Sequence, residues 1–165
     1  MGEGEVGPRR LAAVVADASP LIALRQLDQL ELLERLFAEV TLPPAVAEEV
    51  RPSLPVLPPW IRVRQLSRPI DAVILRAALG RGETEALGLA KELGAELVIV
   101  DERAARNLAV NLGLAVAGTA GILARSKRAG YIPAVRPLLD RLLSLGFRIS
   151  PAIIKRALAD ADEQD

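Results

Sequence analysis

Short apolar runs alternate with longer helical stretches along most of the chain. The two most hydrophobic runs, residues 11–16 and 96–100, each end at an aspartate, Asp17 or Asp101. Runs of this length predict strands that are buried on both faces. Three further strands are predicted at residues 39–42, 60–66 and 115–117. The second of these alternates apolar and charged positions, which predicts a strand at the edge of a sheet.

Helical periodicity fills the intervals between the predicted strands. A first helix is predicted to open at Ser19-Pro20, with serine as the N-cap and proline at the first helical position, and to run toward Phe37. Further helices are predicted at residues 44–50, 69–79, 83–93, 102–112, 120–129, 133–145 and 151–159. Strands that alternate with helices of this length predict right-handed crossovers. The expected fold is therefore α/β, a three-layer α/β/α sandwich with a mostly parallel central sheet.

The chain length of 165 residues predicts one folded domain. We expect a flexible tail at residues 1–10, a domain at residues 11–150, and a C-terminal helix with an acidic tail at residues 151–165. Prolines crowd residues 52–59 and exclude regular structure there. Charged residues interrupt every apolar run before the roughly 18 residues that a membrane helix needs. The N-terminus lacks the features of a signal peptide, so we expect a soluble, cytoplasmic protein.

Histidine and cysteine are both absent from the sequence. Their absence excludes serine or cysteine nucleophiles activated by histidine, zinc sites built on thiolates or imidazoles, and disulfide frameworks. A chain that is 51% hydrophobic and 25% charged can bury a core, which excludes disorder. If the chain is an enzyme, its chemistry therefore falls to carboxylates, lysines, hydroxyls or a hard metal ion.

Basic and acidic residues balance, with 21 of each, which argues against a polyanion-binding surface that covers the whole protein. The charges are nevertheless unevenly distributed, because residues 121–156 contain eight basic residues and one acid, Asp140. Solvated helix faces are the ordinary explanation of such a bias. A local polyanion-binding surface is the alternative.

Four acids occupy positions that suggest one site. Ligands of open parallel sheets bind beyond the carboxyl ends of the strands, so Asp17 and Asp101 are expected to lie near each other. Like charges raise one another's pKa unless a cation neutralises them, and Mg²⁺ and Mn²⁺ prefer oxygen ligands. Glu49 and Glu83 lie on helix faces that carry apolar or small residues. Taken singly, Glu83 is also explained by the helix dipole, and Glu49 as a solvated neighbour of Glu48.

Five segments of the chain, in order, resemble the motifs of the PIN-domain nucleases. They are the strand and turn of residues 15–22, the second-acid helix of residues 44–50, the third motif of residues 82–87, the fourth motif of residues 98–102 with Arg106, and the Gly-Thr element of residues 118–123. The third motif is similar to that of an uncharacterised branch with a Gly-Glu-x-Glu-Ala signature, in which Glu83 stands where many PIN nucleases carry aspartate. The resemblance covers residues 14–133.

The resemblance implies a metal-dependent phosphodiesterase, commonly an endoribonuclease, whose acids hold one or two Mg²⁺ or Mn²⁺ ions. The catalytic and metal-binding residues that it implies are Asp17, Glu49, Glu83 and Asp101, with Glu49 preferred to Glu48 because it directly precedes the apolar Val50. Supporting roles are implied for Ser19, Thr119, Glu85 and Glu102, and contacts with substrate phosphates for Arg103 and Arg106.

The resemblance also suggests partners. PIN proteins of this size are often toxins held by an antitoxin, and they often dimerise, so RNA, an antitoxin and a second copy of the chain are expected. The apolar segments at residues 52–59, 138–145 and 153–159 offer surface for such contacts. The main rival is a catalytically inactive PIN scaffold that binds nucleic acid or assembles with other proteins. A haloacid-dehalogenase-like phosphatase is disfavoured because it needs a second aspartate where Ser19 stands.

Overall fold

Five parallel strands form one central sheet in the computed structural model, which describes residues 13–164. The tail expected at residues 1–10 lies outside the described residues. The strands are β1 (Val14–Ala16), β2 (Val40–Leu42), β3 (Ile61–Val63), β4 (Leu97–Ile99) and β5 (Val116–Ala117). All four strand pairs are parallel, so the sheet is wholly rather than mostly parallel.

The strand order is β3-β2-β1-β4-β5, so the chain starts in the middle of the sheet. It first moves outward through β2 and β3, and then returns to the other side of β1 for β4 and β5. Val15 pairs with Thr41 of β2 on one side and with Val98 of β4 on the other. The direction of winding therefore reverses between β1 and β4, which is where ligands of such sheets commonly bind.

Helices cover both faces of the sheet and complete the predicted three-layer α/β/α sandwich. In the described residues they are α1 (Ala18–Gln26), α2 (Leu32–Phe37), α3 (Pro44–Val50), α4 (Ala72–Arg76), α5 (Arg81–Leu93), α6 (Arg103–Asn111), α7 (Thr119–Arg128), α8 (Arg136–Ser144) and α9 (Pro151–Asp160). Helix α5 packs on α3, α4 and α6, whereas α7 packs on α1, α2 and α9. No helix of the described residues is long and apolar enough to cross a membrane.

The core explains why β1 and β4 are the most hydrophobic strands. Val15, Ala16, Val98 and Ile99 are fully buried because helices cover both faces of the sheet at its centre. At the edge, β3 has the position that its sequence predicts, but only Ile61 is buried, and Val63 is 49% exposed although the alternation predicts it on the same face as Ile61. Burial therefore decreases from the centre of the sheet to its edge as the apolar pattern predicts.

The single helix predicted from Ser19 toward Phe37 is wrong, because the structure divides it into α1 and α2. Asp28 adopts a left-handed conformation with φ of 56°, and aspartate tolerates this region better than most residues do. The backbone N–H of Gln29 then donates to the carbonyl of Leu24 at 2.9 Å, which closes the end of α1. The apolar periodicity continues through this break and therefore conceals it.

The helix predicted at residues 69–79 is also shorter in the structure, where α4 covers five residues. The Asp71 side chain accepts a hydrogen bond from the Val73 N–H at 2.9 Å and so caps the start of the helix. Ala78 has a φ of 54°, which prevents the helix from continuing. Local capping therefore limits this helix more strongly than its apolar pattern suggests.

A long-range contact fixes the C-terminal segment against the start of α8. The Glu163 carboxylate accepts hydrogen bonds from the Val135 N–H at 2.7 Å and the Arg136 N–H at 3.1 Å, and it pairs with Lys127 at 3.3 Å. Partial burial opposes ionisation, but these hydrogen bonds outweigh it and hold the pKa of Glu163 below its usual value. Helix α9, which precedes Glu163, packs on α7.

We expect Glu163→Ala to lower the free energy of unfolding by about 1–2 kcal/mol, because two backbone donors at the start of α8 lose their acceptor. Urea denaturation followed by circular dichroism measures this loss. The matched control is Gln164→Ala, whose side chain caps no helix in the described residues and should change stability by less than about 0.5 kcal/mol. Equal losses for the two variants would contradict the capping role.

Candidate active site

Asp17 lies directly after β1, the central strand of the sheet. Its backbone N–H donates to the carbonyl of Ile99 at 2.9 Å, so the ladder between β1 and β4 fixes its position. Asp17 is also the N-cap residue of α1, which begins at Ala18. The prediction of Ser19 as the N-cap is therefore wrong by two positions. Pro20 fits inside the first turn because the early N–H groups of a helix lack intrahelical acceptors.

The Asp17 carboxyl group is buried, with only 4% of the residue exposed, and this burial raises its pKa to about 6. The backbone N–H of Ala18 lowers the pKa, but the negative charges of Glu83, Glu49 and Asp101 raise it further. Among the described residues, no lysine or arginine forms an ion pair with Asp17. A buried acid is thus surrounded by other acids without a compensating cation.

Asp101 follows β4 and is held in one orientation by Thr119. One of its oxygens accepts from the Thr119 backbone N–H at 2.7 Å, and the other accepts from the Thr119 hydroxyl at 2.6 Å. A Cβ atom on Gly118 would lie 2.7 Å from the nearer oxygen, so only glycine leaves room for this contact. The Gly-Thr element therefore positions the second strand-end acid.

Glu49 is brought to Asp17 by the packing of α3 against α5. A Cβ atom placed on Gly82 would lie 2.5 Å from Glu49 Oε1 and 3.3 Å from Asp17 Oδ1, so both carboxylates converge beside this glycine. Both Glu48 and Glu49 are exposed, but Glu48 lies 3.6 Å from the guanidinium of Arg81 instead. Of the two alternatives for the second acid, Glu49 is the one that the structure places beside Asp17.

Glu83 and Glu85 both serve the ends of helices. Glu83 Oε2 accepts from the backbone N–H of Gly80 at 2.8 Å and so caps its own helix, α5, while its charge still reaches Asp17. Glu85 accepts from the backbone N–H of Ala45 at 3.1 Å, in the first turn of α3, and from Arg81 at 3.3 Å. Glu85 therefore anchors the helix that carries Glu49.

The other residues that the sequence predicted for the site differ in where the structure places them. The Glu102 carboxylate accepts from the Ala105 N–H at 2.8 Å and caps α6. Ser19 and Arg103 are exposed, and within the described residues neither side chain forms a hydrogen bond or ion pair. Arg106 differs, because its guanidinium and Asp101 Oδ1 both lie beside Gly118. The structure thus brings Arg106, and not Arg103, to the acids.

A cavity of about 500 Å³ opens from Asp101 and Thr119 between α6, α7 and α9. Five arginines contribute to its wall: Arg106, Arg125, Arg128, Arg148 and Arg156. The sequence shows an excess of basic residues at residues 121–156, for which solvated helix faces and a local polyanion-binding surface were the two interpretations. The convergence of α6, α7 and α9 depends on tertiary packing, so no local pattern in the sequence indicates it.

The donor chemistry of the site fits a hard divalent cation. No three acids of the described residues lie close enough together to enclose a metal ion by themselves. Mg²⁺, however, commonly binds through one or two carboxylates and retains several waters. Asp17 and Glu49 supply such a pair, with Asp101 and Glu83 near enough to act on Asp17 electrostatically. All donors are carboxylate oxygens, which suit Mg²⁺ or Mn²⁺ better than zinc.

Comparison with known families agrees with this geometry. A parallel sheet whose central strands end in acids at the reversal of winding defines an α/β protein with a candidate ligand site at that point. The family model DUF3368, described as a PIN domain, matches residues 13–163. The chain therefore belongs to the PIN-domain family, and the match extends through α9. No curated protein matches the chain.

The raised pKa of Asp17 predicts a stability that depends on pH. The folded protein holds the Asp17 proton more tightly than the unfolded chain, in which an aspartate titrates near about 3.9. The free energy of unfolding is therefore highest below about pH 4, where the Asp17 carboxyl group is protonated. It falls as the pH rises from about 4 through about 6 and Asp17 ionises. Asp17→Asn cannot ionise and should be more stable than the wild type above about pH 7, by up to about 3 kcal/mol.

Urea denaturation in EDTA across this pH range measures the difference between the two proteins. The advantage of Asp17→Asn should shrink as the pH falls through the window, since the wild-type carboxyl group regains its proton. Asp140→Asn on α8 is the control, because it removes an equal charge from an exposed position. A constant advantage at every pH would mean that the unpaired charge of Asp17 is not its source.

Proposed function

We propose that this protein is a metal-dependent endoribonuclease that hydrolyses phosphodiester bonds of RNA at the Asp17 site. One observation carries the proposal: the carboxylates of Asp17 and Glu49 lie close together where the winding of the sheet reverses. No basic side chain of the described residues pairs with either of them. PIN domains are generally nucleases, and an all-carboxylate site without histidine suits hydrolysis supported by Mg²⁺ or Mn²⁺.

The four acids have different tasks in this proposal. Asp17 and Glu49 would bind the ion directly, and Asp101, oriented by Thr119, would hold it or one of its waters. Glu83 adds negative charge while it caps α5. When bound, Mg²⁺ or Mn²⁺ would neutralise these acids and lower the pKa of a coordinated water to generate the nucleophile. Burial of Asp17 strengthens its attraction to a cation, because surrounding water screens it less.

The Arg106 guanidinium lies close to Asp101, because a Cβ atom on Gly118 would lie 3.6 Å from Arg106 Nη1 and 2.7 Å from Asp101 Oδ1. A guanidinium forms paired hydrogen bonds with phosphate oxygens, so Arg106 would orient the scissile phosphate relative to the acids. Exposed Arg103 would contribute at most to a more distant part of the strand. The positions of these two residues therefore support different roles for them.

A catalytically inactive PIN scaffold is the second candidate. It is favoured by the engagement of Glu83 in its own helix cap and by the absence, in the described residues, of three acids that enclose an ion. Such a scaffold would keep the basic cavity for binding nucleic acid without cleaving it. Metal binding and cleavage together separate the two candidates.

An antitoxin and a second copy of the chain remain proposed partners. Half-exposed apolar side chains supply their physical basis, among them Val110 on α6, Leu143 on α8 and Leu145 directly after it. Val56, in the proline-rich segment, is 83% exposed. Burial of such residues by a partner protein would be favourable. A toxin role would follow if the partner also blocked the site of the four acids.

Cleavage of labelled single-stranded RNA and DNA in Mn²⁺, Mg²⁺ or EDTA tests the proposed reaction. The wild type should cut RNA only with metal, and Asp17→Asn should reduce the rate to background. Glu49→Gln should slow cleavage by at least about 10–100-fold, the loss that is typical even of residues that only orient metal ligands. Glu48→Gln on the same helix is the matched control and should retain the wild-type rate. No cleavage by the wild type together with no Mn²⁺ binding would support the inactive scaffold.

Gly82→Ala tests whether the space beside Gly82 is needed by the carboxylates rather than by the fold. The added Cβ would displace the flexible end of Glu49, whereas alanine favours a helix by up to about 1 kcal/mol over glycine. We therefore expect a folded variant of similar or higher stability in EDTA. Its increase in melting temperature on addition of Mn²⁺ should be markedly smaller than that of the wild type.

The matched control is Gly121→Ala in α7, where the new Cβ would make only an ordinary contact, 3.9 Å from the Cβ of Ala117. This variant should keep the full Mn²⁺ stabilisation, because ligand binding to the folded state raises its melting temperature. An unchanged Mn²⁺ response in Gly82→Ala would contradict the placement of the ion beside Glu49.

A further inference from the structure

Helix α3, which carries the second acid of the site, lacks an N-terminal cap of its own. Its N-cap residue, Pro43, forms no side-chain hydrogen bond, and its first residue, Pro44, has no backbone N–H. The N–H groups of Val46 and Ala47 both donate to the Pro43 carbonyl at 3.1 Å. The first donor of the helix is therefore the N–H of Ala45, and because Ala45 is buried, a group outside the helix has to accept from it.

Glu85 of helix α5 supplies this acceptor from a distant part of the chain. Its Oε1 atom accepts from the Ala45 N–H at 3.1 Å across 40 residues of sequence, and only 18% of its side chain is exposed. Its other oxygen accepts from Nε of the exposed Arg81 at 3.3 Å. The three acids whose charges raise the pKa of Asp17 do not include Glu85. The contacts of Glu85 thus serve the packing of two helices rather than the cluster of acids.

Two contacts fix the register between α3 and α5. The Glu49 carboxylate lies beside Gly82, and the N–H of Ala45 lies against Glu85. Glu49 follows Ala45 by four residues and Glu85 follows Gly82 by three, so the two members of each pair share one face of their own helix. The helices therefore run in opposite directions at this contact. The anchor at Ala45 lies about one helical turn, about 5.4 Å, from the residue that faces the site.

We propose that Glu85 is a positioning residue, whose hydrogen bond to Ala45 holds the Glu49 carboxylate in place and so sets the affinity of the site for a divalent cation. The proposal rests on the proposed function, which supplies the cation. It gives the two glutamates of the third motif different roles, because Glu83 acts on Asp17 through its charge and Glu85 acts through α3. Position 85 therefore needs an acceptor that reaches Ala45, and it does not need a negative charge.

Three substitutions at position 85 separate hydrogen bonding from charge. Glu85→Gln removes the charge but keeps a carbonyl oxygen at the same distance from the backbone, so it can still accept from Ala45. Glu85→Asp keeps the charge on a side chain that is one methylene shorter and cannot reach. Glu85→Ala removes both the charge and the acceptor. The matched charge control is Glu48→Ala, which removes one exposed acid that also lies near Arg81.

Binding of Mn²⁺ to the full chain is measured by calorimetry at neutral pH, at a temperature where thermal melting shows each variant to be folded. Glu85→Ala and Glu85→Asp should bind Mn²⁺ at least about 10-fold more weakly than Glu85→Gln, a loss typical of residues that orient metal ligands. Glu85→Gln and Glu48→Ala should agree within about 3-fold, because each removes one charge whose effect is screened.

Hydrogen exchange of residues 44–50 in EDTA reports the anchor without metal. Exchange in this segment should be faster in Glu85→Ala and Glu85→Asp than in Glu85→Gln, because local opening is easier when the helix start has lost its acceptor. Glu163→Ala is the stability control, since it removes a long-range cap from α8 rather than from α3. It should lower the melting temperature and leave the Mn²⁺ dissociation constant unchanged.

Three outcomes would overturn the proposal while the wild type binds Mn²⁺. Equal affinities of Glu85→Gln and Glu85→Ala would mean that the charge of Glu85 is what matters. Weaker binding by Glu85→Gln than by Glu85→Asp would lead to the same conclusion. A lower melting temperature of Glu85→Ala with an unchanged dissociation constant would confine Glu85 to stabilising the fold. Absence of Mn²⁺ binding by the wild type is a separate result, which would reject the proposed function and this role of Glu85 together.

Discussion

The burial of Asp17 among three other acids is the constraint on which the site depends. The winding of the sheet reverses between β1 and β4, so the residues that follow these two strands must lie side by side. Two of those residues are aspartates, and α3 and α5 add Glu49 and Glu83. A fold that only needed stability would not bury Asp17 there, because desolvation and the neighbouring negative charges both oppose its ionisation. Such a cost is typical of sites where activity requires strain or charge.

Much of the surrounding structure positions these acids without pairing them with basic side chains. Gly82 and Gly118 leave the volume that a side chain would otherwise take from Glu49 and Asp101. Thr119 fixes Asp101 through both carboxylate oxygens, and Glu85 anchors the helix that carries Glu49. Cations are available nearby, yet Arg81 pairs with Glu48 and Glu85 rather than with the central acids. The negative potential at Asp17 is thus preserved rather than neutralised within the described residues.

Local patterns in the sequence predicted the strands and their order of burial, because hydrophobic periodicity is a local feature, and the resemblance of five ordered segments to known motifs indicated the family. These local patterns failed where a single residue ends a helix, or where a residue far away in the sequence caps one. The left-handed Asp28 ends α1 within an uninterrupted apolar pattern, and Glu163 caps α8 from 27 residues away. The pairing of Glu85 with Ala45 joins two helices in the same way, so its role as a helix anchor could not be predicted from its position beside Glu83.

The acidic site and the arginine-lined cavity are adjacent regions of opposite charge. A net charge of zero gives no general attraction for a polyanion, so the protein depends on where its charges lie. Acids alone would repel a phosphate strand, and arginines alone would bind it without positioning a cation. The contact of Asp101 with Thr119, and of both with the cavity that contains Arg106, places the two potentials next to each other. In the proposed function, a phosphate beside the acids would therefore have Arg106 next to it, and a bound divalent cation would offset the repulsion between that phosphate and the carboxylates.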